Sequence, residues 1–102
     1  MAAHLFILYP QPTDAEAFAA AYRDEHLPYA GPRLTGATGV ASRKVVGPAE
    51  TPPYHFLSAV TFPDIETLQR CAQSAGGQEA LAHAASISSG GAPTVLGAVD
   101  AD

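Results

Sequence analysis

Two apolar runs, each broken by proline just ahead of a helix-start signal, constrain this chain more than any other feature. The first is Leu5-Phe6-Ile7-Leu8-Tyr9, ended by Pro10 and Pro12 and followed by Thr13-Asp14-Ala15-Glu16. A continuous apolar run of this length reads as a buried strand. The four residues after it have the form of a capping box, with Thr13 accepting an orphan amide and Glu16 reaching back. Phe18, Ala21, Tyr22 and Glu25 follow at spacings of three and four, so a helix is expected over 14–26. Pro28 should end it, because the residue before a proline avoids helical backbone. The second run, Tyr54 to Phe62, puts Tyr54, Phe56, Ser58, Val60 and Phe62 on one face and His55, Leu57, Ala59 and Thr61 on the other. Pro63-Asp64 then opens a second helix, with Asp64 as its cap and Ile65, Leu68, Cys71, Ala72 and Ala75 along one side.

The remaining segments complete the order. Thr35 to Val46, rich in glycine and β-branched residues, reads as a bent or weak strand, and Gly47 to Pro53 as a loop. Gly76-Gly77 is expected to interrupt the second helix before a further piece from Gln78 to Ala85, and Pro93 to Val99 forms the last strand. The result is βαββαβ, a ferredoxin-like two-layer α+β sandwich. At 102 residues the chain is expected to be one domain, spanning residues 1–102. Two layers cover only one face of the sheet, yet both faces of the strands are apolar: Phe6 and Leu8 oppose Leu5 and Ile7. A second copy of the sheet is the economical cover, giving a homodimer with a space between the sheets. The alternative is a monomer whose loops fold over that face.

Charge and composition narrow the function. A formal charge of −5, with five Lys and Arg scattered singly, argues against nucleic acid and against an anionic membrane surface. No apolar run reaches the roughly 18 residues of a membrane span. The opening Met-Ala-Ala-His lacks the basic region and apolar run of a signal peptide, and the single Cys71 cannot form an internal disulfide. A reduced, cytoplasmic setting is expected. There is no CxxC pair, HExxH or glycine-rich phosphate loop, so neither metal nor organic cofactor is expected.

Phe18-x-x-x-Tyr22-Arg23-Asp24-Glu25-His26-Leu27-Pro28-x-Ala30 resembles the central signature of the EthD family, named for a protein of ethyl tert-butyl ether degradation. Phe62-Pro63-Asp64-Ile65-Glu66 through Ala75-Gly76-Gly77-Gln78-Glu79-Ala80-Leu81 is similar to its second signature, and Gly90-Gly91-Ala92-Pro93-Thr94 also matches. The resemblance runs in order from Leu5 to about Val99. It implies a dimeric α/β-barrel protein of the ferredoxin-like class. Relatives of that kind include cofactor-free oxygenases, isomerases and cyclases of aromatic and polyketide metabolism. One departure is the run Ala19-Ala20-Ala21, where family members often carry a more aromatic pocket.

Within this frame His26 is the candidate proton acceptor or donor, since imidazole titrates near neutrality without special tuning. In the last turn before Pro28 it would reach the mouth of a cavity under the sheet; alternatively it caps the helix carbonyls and fixes the turn. Asp24, Glu25 and His26 diverge around a helix and cannot form one metal site. Tyr22, four residues before His26, shares its face and could join it by a hydrogen bond or grip a substrate atom; the plainer reading is a core aromatic. Tyr9, Phe18 and one of the alternating pair Tyr54 and His55 are candidates to line the same space; the pattern leaves open which of the pair faces it. Arg23 and Arg33 could hold an acidic group, or be solvated. His4 and His83 are expected at the surface, and Cys71 as a buried, inert thiol.

The sequence thus predicts a small, apolar or aromatic ligand bound between sheet and helices, with His26 and Tyr22 catalytic if the protein is an enzyme. Proton abstraction beside a carbonyl, with isomerisation, ring closure or oxygenation, needs no more machinery than this. The alternatives are a non-catalytic ligand-binding or accessory protein and, as a lesser one, a haem protein with His26 as axial ligand.

Overall fold

The computed structural model describes residues 1–101. Strand β1 (Ala3–Pro10) lies at the centre of a four-stranded antiparallel sheet, between β3 (Tyr54–Phe62) and β4 (Thr94–Val99), with β2 (Gly39–Lys44) beyond β3. Helices α1 (Ala15–Ala21), α2 (Leu27–Ala30), α3 (Ile65–Gln73) and α4 (Ala75–Ser86) cover one face. This is the expected ferredoxin-like sandwich. The expected barrel is not formed: β2 and β4 are the two edges of an open sheet. Closing a sheet into a barrel takes about eight strands, and four leave both edges free.

The period-two pattern of β1 decides which face is which. Ala3, Leu5, Ile7 and Tyr9 are buried against the helices, while His4, Phe6 and Leu8 on the other face are half-buried. Val60 and Phe62 from β3, Phe18 and Tyr22 from the first helical segment, and Leu68 and Cys71 from α3 complete the core. Burial pushes the Cys71 thiol up, as expected for an inert cysteine. Register pairs Phe6 with Ala59 and Leu96, and Leu8 with Leu57, so the uncovered face has an apolar centre.

Local chemistry places the helix starts. Asp64 caps α3 as expected, accepting from the Thr67 amide at 2.7 Å and the Thr67 hydroxyl at 2.6 Å. At α1 the cap is Asp14, not Thr13: its carboxylate accepts from the Ala17 amide at 3.1 Å. Two further expectations are corrected. β2 is shorter than the span 35–46, and Gly76-Gly77 does not break the helical layer.

The break falls at Ser74, whose extended backbone ends α3 and whose hydroxyl accepts from the Gly77 amide at 3.0 Å to start α4. Both glycines lie inside α4 because other backbone passes too close for a side chain. A Cβ on Gly76 would stand 2.9 Å from the Arg33 carbonyl oxygen, and one on Gly77 would overlap the Cys71 carbonyl. Gly77→Ala should therefore lower stability by about 1–3 kcal/mol, the range for overpacking, although alanine favours helix by nearly 1 kcal/mol. Urea unfolding checks this; a raised midpoint would show that propensity outweighs the clash.

Candidate active site

The first helical segment does not end at Pro28. Between α1 and α2 the backbone widens into a π-helical turn, Tyr22–His26, in which the Leu27 amide donates to the Tyr22 carbonyl five residues back. In a regular α-helix the ring of Pro28 would collide with the carbonyl of Asp24. The wider turn relieves that collision, and the rod continues through α2 into a 3₁₀ turn at Gly31–Arg33. His26 is therefore not at an exposed helix end. It sits mid-rod, 6% exposed, in a buried stripe with Phe18, Tyr22 and Ala30 at steps of four.

Neither ring nitrogen of His26 is held by backbone. Nδ1 lies 2.9 Å from Nδ1 of His83 on α4, while Nε2, which is not fully enclosed, makes no hydrogen bond to another described residue. His83 is half-buried, not exposed as expected. The face of its ring packs on Tyr29 (centroids 4.5 Å apart), and the Arg33 guanidinium lies 3.7 Å over the other face of Tyr29. Burial, and then the neighbouring His83, pull the His26 imidazole down to about 4. His26 is thus a neutral imidazole at physiological pH.

Tyr22 does not bond to His26. Its hydroxyl shares hydrogen bonds of 2.6 Å with Ser42 on β2 and Ser58 on β3. The plainer reading, a core aromatic, describes its ring, which meets Phe18, Tyr9 and Phe56. Tyr9 is fully buried and its phenol has no hydrogen-bond partner among the described residues. Burial, then Tyr22, push that phenol up; Ser58 only partly offsets this. Phe18 packs edge-on to Tyr9. A bulge opposite Tyr9 and Pro10 leaves His55 as an extra residue in β3. His55 turns to the edge of Phe18, whereas Tyr54 reaches away to the Thr94 hydroxyl at 3.2 Å.

His26 and Tyr22 line a cleft between the rod, α4 and the sheet, with Ile7, Leu34, Val40, Ser58, Val60, Leu81 and Ala84 among the other walls. Tyr9, Phe18, Tyr54 and His55 lie outside it. The cleft encloses 420 Å³ with its open mouth, but leaves only 40 Å³ for the centre of a water-sized molecule. It is a narrow slot with no charged wall, smaller than a porphyrin. Arg23 pairs with Asp24 at the surface, and Arg33 is committed to Tyr29, so neither arginine enters the slot. His4, expected at the surface, lies within β1 on the uncovered face, bonded to Thr61 and Asp100. No group of three metal-ligating side chains occurs among the described residues. Nor does any helix among them reach the length and apolarity needed to cross a membrane.

Solved structures share this architecture. An ethyl tert-butyl ether degradation (EthD) family protein from Bacillus halodurans superposes with a TM-score of 0.86 at 24% identity, over 99% of this chain and 100% of that one. The chain has the fold of an EthD-family protein. A dimeric ferredoxin-like protein of unknown function from Jannaschia sp. is similar at TM-score 0.65 and 20% identity, over 97% and 98% of the two chains. The hydroxynitrile lyase of Passiflora edulis is similar at TM-score 0.67 and 12% identity, over 99% and 94%. No family model and no curated protein sequence matches the chain.

Within this EthD-like fold the depressed His26 has a consequence for stability. Between about pH 6.5 and about pH 4 the unfolded chain binds a proton at this histidine and the folded chain does not. Stability should therefore fall as pH is lowered through that window, by at most about 1.4 kcal/mol per pH unit from this group. His26→Asn should flatten the slope there in urea titrations, and an unchanged slope would assign it to other groups.

Proposed function

We propose that this chain is a homodimeric, EthD-like protein that binds a small, uncharged, largely apolar molecule in the slot beside His26 and acts on it by proton transfer without a cofactor. The observation that carries the reading is a buried, neutral imidazole whose Nε2 is unpartnered in a cleft without charged walls. Such a nitrogen can accept a proton from a substrate carbon or hydroxyl. The apolar walls exclude competing water and orient the substrate by shape. Isomerisation or ring closure of a carbonyl compound, or oxygenation of its anion, follows from that one step. Tyr22, fixed by two serines, serves as a rigid wall and a local hydroxyl dipole.

Deuterium exchange into small ketones and lactones, followed by NMR in D₂O, tests the reading. The wild type should accelerate exchange at the carbon beside the carbonyl, and His26→Ala should lower the rate about 10²–10⁴-fold. Ligand-induced shifts at Ile7, Val60 and Leu81 without exchange would instead favour a non-catalytic binding protein. The absence of both would sink the reading altogether.

The dimer has its own support. The uncovered face presents Phe6, Leu8, Leu57 and Leu96, with a shallow hollow beside Phe6 and Leu57 whose rim includes His4, Arg43 and Asp100, and an apolar sheet face is stable when another surface covers it. Two such faces stacked by a two-fold axis would bury both at once. Leu57→Glu should give a monomer by light scattering at micromolar concentration. A variant that stays dimeric would place the interface elsewhere.

A further inference from the structure

The contact between His26 and His83 fixes more than packing. Adding two ring radii to the nitrogen–nitrogen distance of 2.9 Å recovers the centroid separation of 5.2 Å, and the ring planes differ by only 11°. The two imidazoles therefore meet edge to edge in nearly one plane, the geometry of a near-linear N–H···N bond. Two Nδ1 atoms this close cannot both carry a proton, and two bare ones would repel. A single proton lies between them and can sit on either ring. When it sits on His26, the Nε2 of that ring is an acceptor toward the slot. When it sits on His83, the Nε2 of His26 is a donor.

We propose that His83 is the positioning residue of the site: through the Nδ1–Nδ1 bond it sets the tautomer of His26 and carries protons between the slot and solvent. This rests on the reading of the slot given above. A proton leaving a substrate carbon or hydroxyl is taken by Nε2 of His26, and its bonding electron pair stays on the substrate. The Nδ1 proton of His26 passes to Nδ1 of His83, which becomes the cation and releases its own Nε2 proton to water. His26 is left neutral, now with a proton on Nε2 to return to the product. Charge therefore does not accumulate on the more deeply buried ring.

The surroundings suit this division. His26 is almost fully buried, whereas His83 is half-buried on the outer helix. Tyr29 holds the plane of His83 by stacking and is itself pinned by Arg33, whose side chain also donates to the Tyr29 carbonyl at 2.8 Å. The titratable and charged groups facing the pair are Tyr22 and Tyr29 directly, and Arg33 with its partner Glu79 behind Tyr29. From the sheet the slot presents the neutral Ser58. The nearest formal positive charge thus lies behind His83, opposing a permanent proton there.

Imidazole ¹⁵N NMR of the free, full-length protein at pH 7 tests this without any substrate. Scalar coupling between the two Nδ1 nuclei across the hydrogen bond is expected, with a proton that exchanges slowly with solvent. His83→Phe keeps an aromatic ring on Tyr29 but has no nitrogen; it should abolish the coupling, shift the tautomer of His26, and slow substrate exchange about tenfold. His83→Asn, whose amide can stand where Nδ1 stood, should restore a partner to His26 Nδ1 and its tautomer but, having no nitrogen that takes up a proton, should leave substrate exchange slow. No coupling in the wild type, or an unchanged His26 tautomer in His83→Phe, overturns the proposal. The wild-type coupling decides it even if a variant does not fold. Loss of exchange on His26→Ala alone bears on the slot, not on His83.

Discussion

The site depends on one widened turn. A proline seven residues past the regular part of a helix ordinarily ends it, and here that would have left His26 at a frayed, solvated terminus. The π-helical turn from Tyr22 to His26 instead inserts Pro28 into a continuous rod. Because the rod continues, Ala30 and Leu34 follow His26 along the sheet and close the far wall of the slot. Helix α4 packs beside α2 and the π-helical turn, with Ala80 and Ala84 on its buried side. Small residues there bring the two helices close enough for His83 to reach across. The arrangement of imidazoles, slot and tyrosine ring follows from one backbone irregularity, a kind of feature common at functional sites.

Much of the fold was legible because burial writes its period into the chain. β3 runs over the expected residues, and Asp64 caps α3 because a short acidic side chain after a proline has few other uses for its oxygens. The errors have specific physical causes. Thr13 and Asp14 are both competent caps, and the choice went to Asp14, whose own backbone is the extended residue before the first turn. Gly76-Gly77 looked like a breaker because glycine weakens isolated helices. In the folded chain its missing side chains are what admit the carbonyls of Arg33 and Cys71. Tyr54 and His55 could not be separated by alternation because a bulge suspends the alternation at that point. The barrel came with the family resemblance, and this sheet is open.

The site was half legible. His26 and Tyr22 lie in one signature and do line one cleft. His83 carried no local signal: it lies 57 residues away and sits in an alanine-rich helix that reads as surface. Its neighbours Ala80, Leu81 and Ala84 mark the buried side of α4, and a polar residue beside that stripe was the one hint available. The π turn had no sequence signal beyond Pro28 itself. A proline in a strongly helical context with a buried stripe running past it on both sides, here Tyr22 and His26 before it and Ala30 after it, marks a place where a helix has more to lose by stopping than by widening.

The two faces of the sheet have opposite needs. The helix-covered face is sealed around polar atoms that are paired within it: the Tyr22 hydroxyl between two serines, His26 against His83. The phenol of Tyr9 is the one fully buried side-chain polar atom left unmatched among the described residues, at a cost of about 1–3 kcal/mol for such a group, while Nε2 of His26 is left open toward the slot. The other face carries polar groups around its margin, His4 with Thr61 and Asp100 at one end, Tyr54 with Thr94 at the other and Arg43 on the edge strand beside Leu57, and keeps Phe6, Leu8, Leu57 and Leu96 between them. That distribution leaves the first face able to hold a low-dielectric slot and the second able to desolvate against a partner. β1, central in the sheet and alternating Leu5, Ile7 and Tyr9 with His4, Phe6 and Leu8, serves both. A change on its uncovered side that loosened the strand would therefore reach the slot through Ile7, the β1 residue in its wall.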